Sequence, residues 1–450
     1  MAVEEYDVFV IGTGSAGKKV ADAAAEAGMR VAIADNREYG GTCANRGCDP
    51  KKVLVGVTQV LQHARNLEGK GIENPPKVNW KDLMAFKETF VDPVPFTTER
   101  ALKKEGIKMY HQSPEFIDEE TLSVEGKTVK AKKIVIATGH VPMELKISGR
   151  EHVLTSDDFL ELSELPESMI FIGAGYIGME FAHIAARCGV KVTVIERSDK
   201  ILNGFDAQLA EYLKEDSEKL GIKFIMNADV KSIEKLTKNF RVSTEQDEKE
   251  VEVKAELVFN TAGRIPATAA LNLEKGNVAY EKGGITVNSF LQSTSNPKVY
   301  ACGDVSASGT LPLTPFSGQE GRIVAKNILK GNHLELEIPP TPSVVFTQPQ
   351  LATVGMNEKE AKEAGHDFNV KEENVPDWYN AKHINAPRYA FKTLVDKNTG
   401  QILGAHLLSP DAGETINLFV LAMVGKLDTG TLKGLPLTYP TWGGDMKAMI

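Results

Sequence analysis

The pattern of apolar and polar positions repeats one arrangement twice. Residues 6–11 (YDVFVI) are β-branched or aromatic almost throughout, which predicts a buried parallel strand rather than a half-exposed one. An alanine-rich helix follows to Ala27, and residues 31–34 (VAIA) form a second buried strand. The same order returns with a strand at 168–172, a helix to Cys188 and a strand at 191–195. Residues 133–139 and 260–264 read as strand and turn closing each repeat, and 298–304 as a strand ending in an acid. A helix opens at 313–315 and runs to Leu329. The proline-bearing stretch 338–342 marks a boundary. Beyond it come strand-like runs at 343–347, 389–395 and 401–408, and a helix at 412–424. The expected class is α/β, with two Rossmann-like domains followed by a C-terminal α+β domain.

What joins strand to helix in each repeat supplies the first chemistry. In the first, Gly12-Thr-Gly14-Ser15-Ala16-Gly17 lies between them, and Asp35 ends the second strand 21 residues after Gly14. In the second, Gly173-Ala-Gly175-Tyr176-Ile177-Gly178 takes that place, and Glu196 stands 21 residues after Gly175. Glycines there allow a tight turn and close backbone approach, the helix N-terminus faces a pyrophosphate, and the carboxylate accepts a ribose hydroxyl. Two complete units predict two dinucleotides held by two domains.

Composition narrows the class without changing it. A chain of 450 residues is too long for one core and suggests about three domains at roughly 100–200 residues each. Its 42% hydrophobic and 25% charged residues are those of a soluble globular protein. The net charge of -9 and the lack of any basic block argue against nucleic acid as partner. No apolar stretch approaches a membrane span, and the acidic start lacks a signal peptide's basic region. Four cysteines are too sparse for a secreted disulfide scaffold, so a reducing cytoplasm is expected. A disulfide formed there is more often catalytic than structural. None of the nine histidines has catalytic or metal-ligand spacing, and no metal site is expected.

Cys43 and Cys48 stand in GGTCANRGCDPKK, residues 40–52. With two nucleotide units, that motif, Ala137-Thr138-Gly139, Gly303-Asp304 and a C-terminal α/β region, the chain resembles the pyridine nucleotide–disulfide oxidoreductases along essentially its whole length. The resemblance implies FAD in the first unit, NADH or NADPH in the second, and a homodimer built by the C-terminal domain. It implies FAD-binding segments at 1–148 and 269–336, an NAD(P)-binding domain at 149–268 and an interface domain at 337–450. For FAD it implies Gly12, Gly14, Ser15, Ala16, Gly17, Asp35, Gly41, Thr42, Lys52, Thr138, Gly139, Gly303 and Asp304. For the pyridine nucleotide it implies Gly173, Gly175, Tyr176, Ile177, Gly178, Glu180, Glu196, Arg197 and Gly263. Thr314-Pro315 matches a helix start that points its positive end at the flavin.

Cys43 and Cys48 match the family's redox-active pair. Hydride passes from nicotinamide to flavin, electrons go on to the sulfur of Cys48, and Cys43 is released as the interchange thiol. Both lie at the start of a helical run, where the dipole favours thiolate. Lys52 matches a lysine near flavin N5, ion-paired in the family to the glutamate matching Glu180. Tyr176 matches a residue that covers the flavin, or is a packed aromatic. Cys188 and Cys302 read as structural. Glu196 favours NADH, whereas Arg197 beside it could accommodate a 2′-phosphate.

Two segments depart from the family. Its disulfide reductases carry His-Pro-Thr-x-x-Glu near the C-terminus, where the histidine acts as general acid–base and the glutamate orients it. Here residues 437–445 read LTYPTWGGD, with Tyr439 in place of the histidine and Gly444 in place of the glutamate. A phenol, with an ordinary pKa near ~10, is a poor base at neutral pH but can donate a proton. Tyr439 therefore serves either as a proton donor or as an aromatic packed against Trp442 at the dimer seam. Mercuric reductases add a cysteine pair at the chain end, and this chain ends in MKAMI. Pro93 and Pro95 are expected to interrupt a helix over 89–99 that lines the substrate groove in glutathione reductase.

The acceptor is thus a disulfide or other soft electrophile. The alternatives are a diaphorase-like reductase sending electrons from flavin to quinone, metal or oxygen with the thiols as reservoir, and a redox sensor in which the Cys43–Cys48 state controls a partner.

Overall fold

A computed structural model describes residues 3–246 and 248–450; Met1 and Ala2, at the head of the expected 1–148 segment, lie outside it, as does Asp247. The chain divides into two compact units, each assembled from three separate stretches.

The first unit comprises Met1–Lys51, Ala85–Met143 and Gly263–Ile338. Among the described residues its central sheet has seven strands. Strand Glu4–Ile11 lies between Val31–Ala34 and Lys127–Ile136, parallel to both. Its side chains alternate between two apolar layers, Phe9 and Ile11 on one face and Val8 and Val10 on the other. Burial on both faces explains the unbroken apolar run. Strand Lys127–Ile136 is long enough to use two partners on one edge. Its first half pairs antiparallel with Thr121–Val124 and its second half parallel with Val299–Ala301. Helix Ser15–Glu26 covers one face against helix Thr314–Lys330, and a Cβ at Gly321 would come within 2.5 Å of the Ala16 carbonyl oxygen. Only small residues permit that approach.

The expected proline interruption is real but milder than a lost helix. Helix Trp80–Val91 ends, and a second helix, Pro93–Lys104, begins on the proline itself. Proline is tolerated at a helix start because its missing N–H has no partner to lose there.

The second unit comprises Lys52–Met84, Glu144–Ala262 and Pro339–Ile450. It holds a parallel sheet ordered Lys223–Ile225, Lys191–Ile195, Ser168–Ile172, Leu257–Asn260. Phe159 stacks on Phe181 at 4.1 Å, and Phe171 on Phe259 at 5.3 Å, behind that sheet. Side chains buried this fully contribute about 1.5–3 kcal/mol each. A three-stranded antiparallel sheet spans Ala228–Lys235, Phe240–Gln246 and Lys249–Ala255. The C-terminal part is an antiparallel sheet of five strands among the described residues, with helix Ala412–Val424 packed upon it. Mixed α/β architecture with two Rossmann-like portions and an α+β terminus is what the periodicity predicts.

Candidate functional site

The two glycine turns are built alike. Gly12 has φ +109°, and a Cβ there would lie 2.2 Å from the Ala137 carbonyl oxygen. Gly173 has φ +107°, and its Cβ would lie 2.6 Å from the Thr261 carbonyl oxygen. Cβ atoms at Gly17 and Gly178 would strike the Gly12 and Gly173 carbonyl oxygens at 2.0 and 2.1 Å. Helices Ser15–Glu26 and Tyr176–Arg187 therefore start hard against their strands, capped by Gly14 and Gly175 with no side chain over the first turn. Their first N–H groups are left for an anion. Ser15 and Ala16 open the first helix, Tyr176 and Ile177 the second.

The acids also match. Asp35 accepts from the Thr13 backbone N–H at 2.9 Å, the Thr13 hydroxyl at 2.6 Å and the Arg37 N–H at 3.1 Å. Glu196 accepts from the Ala174 N–H at 2.7 Å and from the Ser198 N–H and hydroxyl at 3.0 and 2.9 Å. Each carboxylate is fixed beside its glycine turn. Arg197 is exposed.

Around the first turn the rest of a flavin cradle is present. Gly41 has φ +76°, and a Cβ there would fall 2.4 Å from the Gly14 Cα, so the cysteine segment crosses directly over the phosphate turn. The Asn45 amide nitrogen donates to the Tyr39 and Gly41 carbonyls at 3.1 Å, and its Oδ1 is buried without a partner. Thr42 is exposed. Asp304 accepts from Ser317 at 3.0 Å. Gly303 donates at 2.6 Å to Glu320, a buried carboxylate that also receives the Ser308 and Thr310 hydroxyls at 2.6 and 2.8 Å. Thr138 donates to the Ala267 carbonyl at 2.8 Å, and Gly139 has φ +66°. Close backbone approach, an open helix start and an orphaned amide oxygen fit a dinucleotide with an extended head group. Sequence reasoning missed Glu320 and Asn45, whose roles lie in buried hydrogen bonds that no local pattern announces.

Cys43 lies in the short helix Gly41–Arg46, and Cys48 is the first residue of the 19-residue helix Cys48–Asn66. Both are free thiols. Their hydrogen bond splits them. The Cys43 thiol donates to Cys48, which draws Cys48 down to about 6, helped by Thr314 and the charge of Lys51. Cys43 is pushed up by the same bond and by burial. The Thr314 hydroxyl stands 3.6 Å from Cys48 Sγ. Cys302 is buried one residue past its strand and Cys188 caps a helix; burial raises both thiols.

Within the second unit, Lys52 Nζ lies 3.8 Å from the centre of the Phe346 ring, and Glu180 accepts from the Phe346 N–H at 2.8 Å. Tyr176 is 49% exposed. Gly263 has φ +144° with open space where a Cβ would be.

The 437–445 segment corrects one expectation. Tyr439 is 81% exposed and its ring neighbours Tyr379 at 6.4 Å. Trp442 packs instead on Tyr389 at 4.8 Å, because the loop turns it inward. Asp445 is turned inward too, accepting from Asn380 at 2.8 Å and Tyr389 at 3.0 Å. A Cβ at Gly444 would lie 2.6 Å from the Thr438 carbonyl oxygen. Neither residue stands in for the family's glutamate.

A protein with two dinucleotide cradles and a thiol pair on the segment that crosses the first is, by class, a flavoprotein disulfide oxidoreductase. The chain belongs to the pyridine nucleotide-disulphide oxidoreductase family: the family profile matches residues 6–321, and its dimerisation domain matches 341–450. It is similar to the glutathione reductase of Burkholderia cepacia (31% identical, covering 97% of this chain and 96% of that one). It is also similar to the dihydrolipoyl dehydrogenase of Bacillus subtilis (30% identical, covering 96% and 95%). Among solved structures, the Cu(II) complex of the HOCl-induced flavoprotein disulfide reductase RclA from Escherichia coli superposes with a TM-score of 0.88 (30% identity, 99% of each chain). The chain is an FAD-dependent oxidoreductase that uses a pyridine nucleotide and carries a dimerisation domain. No helix among the described residues is long and apolar enough to cross a membrane.

Proposed function

We propose that this protein is a cytoplasmic homodimer that takes electrons from NADH, in preference to NADPH, and delivers them through Cys43 and Cys48 to a disulfide or other soft electrophile. The observation that carries this is the opposed pair of thiols on the segment whose Gly41 crosses the first glycine turn. Residues 1–148 and 269–336 hold FAD, 149–268 hold the pyridine nucleotide, and 337–450 make the dimer. Bound FAD supplies the two-electron link between a hydride donor and the thiols. Asp35, Gly12, Gly14, Gly17, Gly41, Thr42, Gly303 and Asp304 seat it, and Lys52, four residues on from Cys48 in the same helix, serves it. Tyr176 is the residue that covers the flavin when nicotinamide is absent.

The protein's own chemistry is thiol exchange. Cys43 sulfur attacks a sulfur of the acceptor, a mixed disulfide forms, and the leaving sulfur takes up a proton. Cys48 sulfur then attacks Cys43, releasing the second product thiol and re-forming the Cys43–Cys48 bond. With no imidazole at position 439, the thiolate of Cys48 is the base at hand for the Cys43 proton. Glu196, held by Ala174 and Ser198, presents an acceptor to ribose hydroxyls and repels a 2′-phosphate.

A second reading takes a quinone or soft metal ion as acceptor. It is favoured by the missing acid–base pair and by the Cu(II) in the Escherichia coli neighbour.

Steady-state turnover against disulfides, quinones and metal ions, with NADH and NADPH in parallel, tests both. Cys43→Ser should end disulfide reduction; if it does not, the thiol route is wrong. Glu196→Ala should raise kcat/KM for NADPH, and wild-type protein faster with NADPH than with NADH would overturn the nucleotide preference.

A further inference from the structure

We propose that Phe346 is a positioning residue whose ring face seats the Lys52 ammonium, and that one face of helix Tyr176–Arg187 holds the ring in place. The proposal rests on the reading above, in which Lys52 serves the flavin and its thiols.

The contact has cation–π geometry: Lys52 Nζ stands 3.8 Å from the ring centroid, well inside the ~6 Å range of such pairs. Phe346 is half-buried and Lys52 is exposed, so the ring offers the ammonium a fixed seat at the edge of solvent. The ring in turn is not free to drift, because its backbone is tied at three points. The Phe346 N–H donates to Glu180 at 2.8 Å, the Gln348 N–H to His183 Nδ1 at 3.3 Å, and Arg187 Nη2 to the Gln348 carbonyl at 2.8 Å. Residues 180, 183 and 187 are spaced three and four apart, which puts them on one side of the helix. His183 Nδ1 also receives Arg187 Nη1 at 3.0 Å. The imidazole must therefore be neutral with its proton on Nε2, facing Ser217 at 2.8 Å. Burial, with the neighbouring guanidinium, holds His183 well below its ordinary range and keeps it in that form.

The same helix face grips the other side as well. Arg187 Nε donates at 3.1 Å to Gln62, which lies on helix Cys48–Asn66 together with Lys52. The lysine-bearing helix and the phenylalanine-bearing segment are thus clamped by one arginine. A lysine carries four rotatable carbon–carbon bonds and a compact charge that wanders unless something confines it. The Phe346 ring face gives that charge a fixed seat.

The test uses the FAD-loaded protein. Two quantities are read: the rate of flavin reduction by the pyridine nucleotide, and the pH midpoint of the thiolate–flavin charge-transfer band. Phe346→Leu removes the π face, and ring-fluorinated phenylalanine at 346 weakens it without changing shape or packing. Both should slow reduction about two- to fivefold, the span of one solvent-exposed cation–π contact, and move the midpoint upward. Phe346→Tyr should stay close to wild type. If the fluorinated ring leaves both the rate and the midpoint at their wild-type values while Lys52→Met moves them, the ring does not position the lysine and the proposal fails. If Lys52→Met itself moves neither, the placing of Lys52 at the flavin is what fails, and the proposal goes with it.

Discussion

Cys43 and Cys48 differ by five positions, yet their hydrogen bond gives them opposite chemical characters. Cys48 is lowered to about 6, so its thiolate is present above that pH and is lost as pH falls through it. In Cys43→Ser protein a long-wavelength charge-transfer band should therefore appear at neutral pH without reductant. It should fade in acid, with a midpoint above about 6, because the thiol that donates to Cys48 is gone. Cys48→Ser should never show the band. A Cys43→Ser protein that lacks it at pH 8 reverses the two roles. Tyr439 carries a second residue-level test. Losing a general acid–base costs a factor of roughly 10²–10⁴, so oxidised glutathione and lipoamide should turn over slowly while flavin reduction stays fast. The deficit cannot be repaired by restoring the family's pair: a Cβ at Gly444 meets the Thr438 carbonyl oxygen at 2.6 Å. Tyr439→His with Gly444→Glu should fall below Tyr439→His alone in thermal stability, and equal melting temperatures would show that the loop yields.

At the level of elements, the glycine turns make the sharpest demand. Gly17→Ala places a methyl 2.0 Å from the Gly12 carbonyl, so the strand and helix it joins must part. The purified variant should come colourless, with flavin absorbance per chain below a tenth of wild type; full yellow occupancy would mean the helix start is not where the pyrophosphate rests. These turns were also the most legible part of the chain. Alternation of strand, glycines, helix and acid follows from backbone geometry that few other sequences satisfy, and both units fold as their spacing predicts. The strands at 31–34, 168–172 and 191–195 and the helix at 412–424 fall where periodicity puts them. Other features were hidden for physical reasons. The antiparallel sheet over Ala228–Ala255 mixes charged with apolar positions because one face is wet, and gives no continuous run. Pro93 reads as a breaker, although a helix can begin on it. Which aromatic Tyr439 meets depends on how a loop turns, and Trp442 is closer in sequence than Tyr379 without being closer in space.

For the molecule as a whole, the exposed apolar face of helix Ala412–Val424 is the telling surface. Leu421 is 67% exposed and Val424 56%, on a helix inside the segment matching the family's dimerisation domain. Buried against a second copy, such side chains supply the apolar centre of an obligate interface. Leu421→Glu with Val424→Asp should halve the mass measured by light scattering while leaving far-ultraviolet circular dichroism unchanged. A variant that keeps the mass of two chains would move the dimer contact elsewhere.

One pairing described above sets a timetable. Strand Lys127–Ile136 finds its second parallel neighbour only at Val299–Ala301, and the Gly303, Asp304 and Glu320 cluster lies beyond that. On the ribosome the phosphate turn at Gly12 emerges first, yet the sheet that supports it stays open along one edge until nearly three hundred further residues have been made. An open edge is a hazard for stray pairing, and long-range closure is slow. The prosthetic group therefore has no complete seat until Glu320 has been made, and its loading falls late in the life of the growing chain.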